Sequence, residues 1–148
     1  MGVTMKKTVE IWYLYHSSFA VKLNSKLIIF DYFYNQAADS EPVLYNGKFS
    51  PDDFRDTDVY FFVSHRHHDH YNPVIFRWLE EYPNIRLIVS SDIKGYGRHS
   101  RILTAEPEKQ YVFDDILIET YTSTDEGVAF LIKTEGVCLF HAGDLHWW

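Results

Sequence analysis

Hydrophobic positions in this chain fall into short runs, not long helical stripes. From Val9 to Phe30 apolar strands are interrupted at "HSS" and at "NSK", and the second break reads as the turn of a hairpin between "FAVKL" and "LIIFDYF". "DVYFFVS" at 58–64 is nearly continuous in apolar residues, as expected of a strand buried on both faces, and "IRLIVSS" at 85–91 repeats the pattern. "QYVFDDILIETYTS" predicts a strand, a tight acidic turn and a strand, and "VAFLIKTEGVCLF" a hairpin through Thr134, Glu135 and Gly136. Helical spacing is clear once: Ile75, Trp78, Leu79 and Tyr82 share a face that opens with Asn72 as N-cap and Pro73 at the first helical position, and it stops at Pro83. Residues 34–57 read as a long excursion, and "SDIKGYGRHS" as a loop with a short helical piece. No repeat, low-complexity tract or linker divides the chain, so the pattern predicts one sheet-rich α/β domain over residues 1–148.

Composition narrows the function classes. A chain of 148 residues with 46% hydrophobic content can bury a core without disulfides or structural metals. The formal charge of −7, with no Lys/Arg run to track phosphates, excludes nucleic acid as the expected partner. No apolar stretch approaches the roughly 18 residues of a membrane span, and the first residues lack a signal-type apolar region. With a single cysteine, Cys138, expected to be a buried inert thiol inside "GVCLF", the reading is a cytoplasmic protein that does not enter membranes. The 18% aromatic content is read as core packing.

The chemistry concentrates in "HRHHDH", which places four of the eight histidines and an aspartate in residues 65–70. Side chains alternate along an extended segment, so His65 and His67 point one way while Arg66 and His68 point the other. Two imidazoles can then share one ion. The turn needed before Asn72 can bring Asp69 and His70 round to a second position, so one or two divalent ions are expected. Imidazole and carboxylate donors suit Zn²⁺ first, with Mn²⁺ or Fe²⁺ as alternatives, and the lack of nearby thiolates implies an open, catalytic site. A solvated histidine-rich loop is the bland alternative. A buried strand before the cluster and a capped helix after it argue against that.

The same residues match the HxHxDH motif of the metallo-β-lactamase superfamily, and "YHSSFAVKL…LIIFDYF" and "LFHAGDL" resemble the opening hairpin of its ascorbate-6-phosphate-lactonase-like branch and its later Gly-Asp motif. The resemblance implies a four-layer αββα sandwich whose N-terminal half is sheet-rich with a mixed sheet. It also implies that His65 and His67 bind a first ion, that Asp69 and His70 bind a second, that Asp144 bridges them, and that Asp31 braces the cluster from behind. The family has a further histidine before the strand "VAFLIK". This chain has "TSTDEG" there, with Ser123, Thr124 and Asp125 as candidates, of which Asp125 is the chemically better ligand and Glu126 the fallback. A last histidine of the family lies beyond the Gly-Asp motif, and the chain ends on Trp147 and Trp148, so a C-terminal segment or another chain is expected to complete the site.

Outside the motif, His16 is an even choice between a residue supporting the ligands and a structural one. His141 and His146 flank Asp144 and could line the site, His146 the more so, while a structural role is commoner for such histidines. The pairs Asp52/Asp53, Glu80/Glu81 and Asp114/Asp115 read as solvated surface, Gly95 and Gly97 as a turn, and Ser17 or Ser18 with His16 lacks a nucleophile elbow. The expected function is a hydrolase in which a metal-bound hydroxide, oriented by Asp69, attacks an ester, lactone or phosphodiester bond of a small molecule. The alternative is a metal-binding module or inactive hydrolase fragment without turnover.

Overall fold

The structure, a computed structural model, describes residues 2, 8–33, 44–124 and 126–144. Among the described residues ten strands form two sheets. The first has the order β1 (Glu10–Tyr15), β2 (Ser18–Lys22), β3 (Lys26–Phe30), β4 (Asp58–Val63), β5 (Ile85–Ser90), β6 (Ile102–Ala105). It is mixed: β1, β2 and β3 pair antiparallel, whereas β3 to β6 run parallel. The second is an antiparallel meander of β7 (Gln110–Phe113), β8 (Ile116–Thr122), β9 (Val128–Thr134) and β10 (Val137–His141).

The continuous apolar runs are explained by two cores that divide each central strand residue by residue. Leu27 and Ile29 of β3, Val59, Phe61 and Val63 of β4, and Leu87 and Val89 of β5 pack under helix α1 (Val74–Glu81) with its Ile75, Trp78 and Leu79. Their neighbours Ile28, Phe30, Tyr60, Phe62 and Ile88 face the second sheet, where they meet Ile116, Ile118, Val128, Phe130 and Ile132. Period two thus buries alternate residues against different layers. Among the described residues helix covers the first sheet only. That helix is too short to cross a membrane.

Several expectations need correction. α1 begins at Val74, one residue later than predicted, yet the Asn72 Oδ1 accepts the Val74 N–H at 2.9 Å and so still caps the helix. Residues 91–101 carry no helical piece, and the excursion contains two short 3₁₀ turns, Leu44–Asn46 and Pro51–Phe54. Strand β6 was not legible. Cys138 is exposed, because β10 alternates along a strand whose outer residues face away from the core.

The topology gives the sandwich two distinct ends. The parallel strands β3, β4 and β5 all finish at one end, where β9 starts beside β4 through the Val128 N–H donating to the Ser64 carbonyl at 2.8 Å. The carboxyl ends of parallel strands are where loops collect side chains into sites.

Candidate metal centre

Three strand ends meet there. Asp31 follows β3, Ser64 and His65 follow β4, and Asp144 lies three residues past β10. Asp31, 1% exposed, takes the positive-φ conformation (φ 49°) that short polar residues tolerate, and this turns its carboxylate inward. One oxygen accepts the Ser64 N–H at 2.7 Å; the other accepts the Ser64 hydroxyl at 2.6 Å and lies 2.6 Å from His70 Nδ1.

Those contacts fix the protons. The single hydroxyl proton of Ser64 goes to Asp31, so its oxygen must accept from His65 Nδ1, 2.9 Å away. His70 Nδ1 likewise donates to Asp31. Both rings therefore carry a proton on Nδ1, which leaves Nε2 on the far side as the nitrogen that a metal can take from the neutral ring. Burial, then the nearby His70, lowers the His65 pKa and keeps that ring neutral. Burial works the same way on His70, but the hydrogen bond and charge of Asp31, with Asp144 and Asp69, outweigh it and raise that pKa.

The two Nε2 atoms are buried and have no hydrogen-bond partner among the described residues. Such groups cost stability unless something takes them up. Both face the carboxylate of Asp144: Oδ2 lies 3.5 Å from His65 Nε2 and Oδ1 3.0 Å from His70 Nε2. Two ligands each about 2.1 Å from one ion, at angles of about 90–110°, stand roughly 3.0–3.4 Å apart. The donor set thus fits a divalent ion in chemistry, tautomer and spacing.

Two groups of donors result, each with atoms within 4.8 Å of one another: His65, His67 and Asp144, and His16, Asp69 and His70. The His65 and His67 rings are 4.6 Å apart and those of His65 and His70 4.0 Å. A third group, Asp31 with His65 and His70, meets the same distance limit. Asp31 is already occupied as an acceptor from Ser64 and His70, so it braces the ligands. Arg66 and His68 are exposed, as alternation predicts. Burial would raise the Asp69 pKa, but the charges of His70 and then His16, with hydrogen bonds, hold it below the usual carboxylate range.

The sequence-predicted residues His65, His67, Asp69, His70 and Asp144 come together, with Asp31 behind them. Asp125 lies outside the described residues, as do His146, Trp147 and Trp148. Glu126 is exposed and pairs with Arg66 at 2.8 Å, its Oε2 4.0 Å from His67 Nε2. Ser123 is buried and donates to the Asp144 carbonyl at 3.1 Å, so it positions the backbone of that carboxylate. His141 is structural: its Nε2 donates to the Ser17 carbonyl at 2.7 Å and its ring stacks on Phe30 at 4.9 Å. The three acidic pairs are exposed. Sequence reasoning overlooked Ser64, whose only signal is its place directly before the first histidine. It also overlooked Gly127, which has φ 89° and where a Cβ would stand 2.0 Å from the Ser64 carbonyl. Only glycine lets β9 start this close to the ligand-bearing loop.

An apolar groove of about 510 Å³ opens beside His16 between Ile11, Phe19 and Phe140. A hollow of about 550 Å³ on the other flank, along residues 93–104, contains none of the donors.

A profile described as "Beta-lactamase superfamily domain" matches residues 10–147. No curated protein matches the sequence. Among solved structures the chain resembles Igni18, a novel metallo hydrolase from the hyperthermophilic archaeon Ignicoccus hospitalis, with TM-score 0.64 and 19% identity over 95% of this chain and 62% of that one. It also resembles CmlA, a diiron beta-hydroxylase from Streptomyces venezuelae, with TM-score 0.60 and 13% identity over 95% of this chain and 30% of CmlA. A metallo-beta-lactamase from Staphylococcus aureus gives TM-score 0.55 and 14% identity over 89% of this chain and 40% of that one. At such identities the likeness is one of fold, and the chain spans less than two thirds of these relatives' length.

Proposed function

This chain belongs to the beta-lactamase superfamily, and from that premise we propose that it is a metal-dependent hydrolase of small molecules, acting on ester, lactone or phosphodiester bonds with one or two divalent ions, Zn²⁺ foremost. The observation that carries the reading is the pair of buried Nε2 atoms of His65 and His70, without hydrogen-bond partners among the described residues and turned to one carboxylate, Asp144. His65 and His67 would hold the first ion and Asp69 and His70 the second, with Asp144 facing both. When bound, such ions supply Lewis acidity that brings the pKa of water towards about 7 and polarises the scissile group.

The chain's own residues would do the rest. Asp31 keeps both Nδ1 protons in place, directly on His70 and through the Ser64 hydroxyl on His65, so the lone pairs stay aimed inward. Asp69, held ionised and 36% exposed, can accept a hydrogen bond from an attacking water and orient it. Ser18 is buried and so is not placed as a nucleophile.

The test is turnover by metal-stripped protein reloaded with Zn²⁺, Mn²⁺ or Fe²⁺, on chromogenic lactone, phosphodiester and thioester substrates. Iron is included because CmlA, of the same fold, is a diiron enzyme. Metal-dependent turnover is expected, and His67→Ala should abolish it together with binding at the first position. A chain that binds the ion yet turns over none of these substrates would favour a metal-binding module instead.

A further inference from the structure

His16 is not part of the HxHxDH motif, yet its imidazole reaches the same cluster from the opposite side. It sits with Ser17 in the two-residue turn between Tyr15 of β1 and Ser18 of β2. Its φ is 57°, a conformation that two-residue hairpin turns usually assign to glycine or asparagine. From there Nε2 lies 3.1 Å from Asp69 Oδ2. The same Asp69 oxygen is 3.7 Å from His70 Nε2, which in turn is 3.0 Å from Asp144 Oδ1. The His16 and His70 rings are 5.5 Å apart.

Resting on the metal-dependent reading above, we propose that His16 is a ligand of the second ion and completes the donor set of His16, Asp69 and His70, whose donor atoms lie within 4.8 Å of one another. Two imidazole nitrogens and a carboxylate oxygen, with a further position left open, suit Zn²⁺ or Mn²⁺. Asp69 Oδ2 lies 3.1 Å from His16 Nε2 and 3.7 Å from His70 Nε2, close to the spacing of ligands around one ion, while Asp144, of the first group, stands 3.0 Å from His70 Nε2. His70 Nε2 is the buried, unpartnered atom that points into the set, and His16, 48% exposed, forms its solvent side, by which an ion can enter. A histidine from beyond residue 148 would then be an addition to the second position instead of a requirement for it.

The experiment is a calorimetric Zn²⁺ titration, with metal content measured in parallel, on the wild-type chain and on His16→Gly. Glycine removes the imidazole and suits the positive φ, so the variant should unfold within a few degrees of wild type as apoprotein. His16→Asn, also tolerant of that conformation, is the second variant if the first folds poorly. Wild type should take up two ions; the variants should take up one with unchanged affinity and bind the other at least about a hundredfold more weakly, a larger loss than removal of a supporting hydrogen bond causes. Variants that keep both ions at wild-type concentrations would reduce His16 to a residue that orients Asp69 and overturn the assignment. A wild type that saturates at one ion would also overturn it while leaving the hydrolase reading intact. A wild type that binds none would overturn both.

Discussion

Strand β3 begins with one buried charged residue, Lys26, and is followed directly by another, Asp31, and the two behave differently. At its start Lys26, with its side chain 4% exposed, crosses to the second sheet and meets Asp115 at 3.0 Å and Glu135 at 3.2 Å. Beside it Arg86 pairs with Asp58 and Asp114, and Tyr60 donates to Asp114 at 2.6 Å. Charge and hydrogen bonds close on themselves there. Burial opposes the charge on Lys26, but the bonds and charges of Asp115 and Glu135 outweigh it and raise its pKa. Just past the strand's other end Asp31 is as deeply buried and accepts from Ser64 and His70, but the imidazoles it orients end in two Nε2 atoms without hydrogen-bond partners among the described residues. Both ends spend burial on polar groups. One uses it to fasten the sheets through their hairpin turns, while the other keeps electron pairs aimed at a common point. Burial alone does not mark a functional cluster; unmet, convergent donors do.

The largest expected effect breaks the second end. Asp31→Ala strands the Nδ1–H of His70 and both donors of Ser64 in a buried site, and urea unfolding should show a loss of about 3–5 kcal/mol. Metal affinity should fall in the same protein by at least about tenfold. Lys26→Met breaks the first end and should cost less, about 2 kcal/mol, because Asp115 is 67% exposed and regains water. Metal affinity should not change. The sign of its pH dependence follows from the raised pKa: the stabilisation is complete below the ordinary lysine value of 10.5 and fades as pH climbs through the higher folded value. Wild type and variant should therefore converge in unfolding experiments run above pH 10.5 and not in acid. The smallest effect on stability belongs to His65→Leu. It removes an unpaired buried Nε2 along with one hydrogen bond, so apoprotein stability should move by less than about 1 kcal/mol while the first ion is lost. A large loss of apoprotein stability would make His65 a structural residue like Lys26 and erase the contrast.

Much of this was legible because period and chemistry coincided. "LIIF", "VYFFV" and "IRLIV" are apolar on both sides because a helix layer and a second sheet flank the parallel strands. "HRHHDH" follows such a run, so its alternation carries straight into the site. Strand β6 was lost because "ILTA" is four residues long with a single one buried. Cys138 is exposed, not buried, because an edge strand exposes alternate residues even inside an apolar run. His16 could not be resolved from sequence, since its role depends on a positive-φ turn that aims a side chain at Asp69, 53 residues away. Ser64 and Ser123 act through hydrogen bonds on other residues, which no spacing rule reveals.

The central claim is that the strand ends carrying Asp31, His65, His70 and Asp144 form a metal centre. An anomalous-scattering map from crystals grown with Zn²⁺ tests it most directly, because it gives ion count and ligands together. The account predicts a peak about 2.0–2.2 Å from His65 Nε2, His67 and Asp144, and a second beside Asp69 and His70. Zinc found only elsewhere on the surface, with both buried Nε2 atoms still unligated at saturating metal, would contradict it.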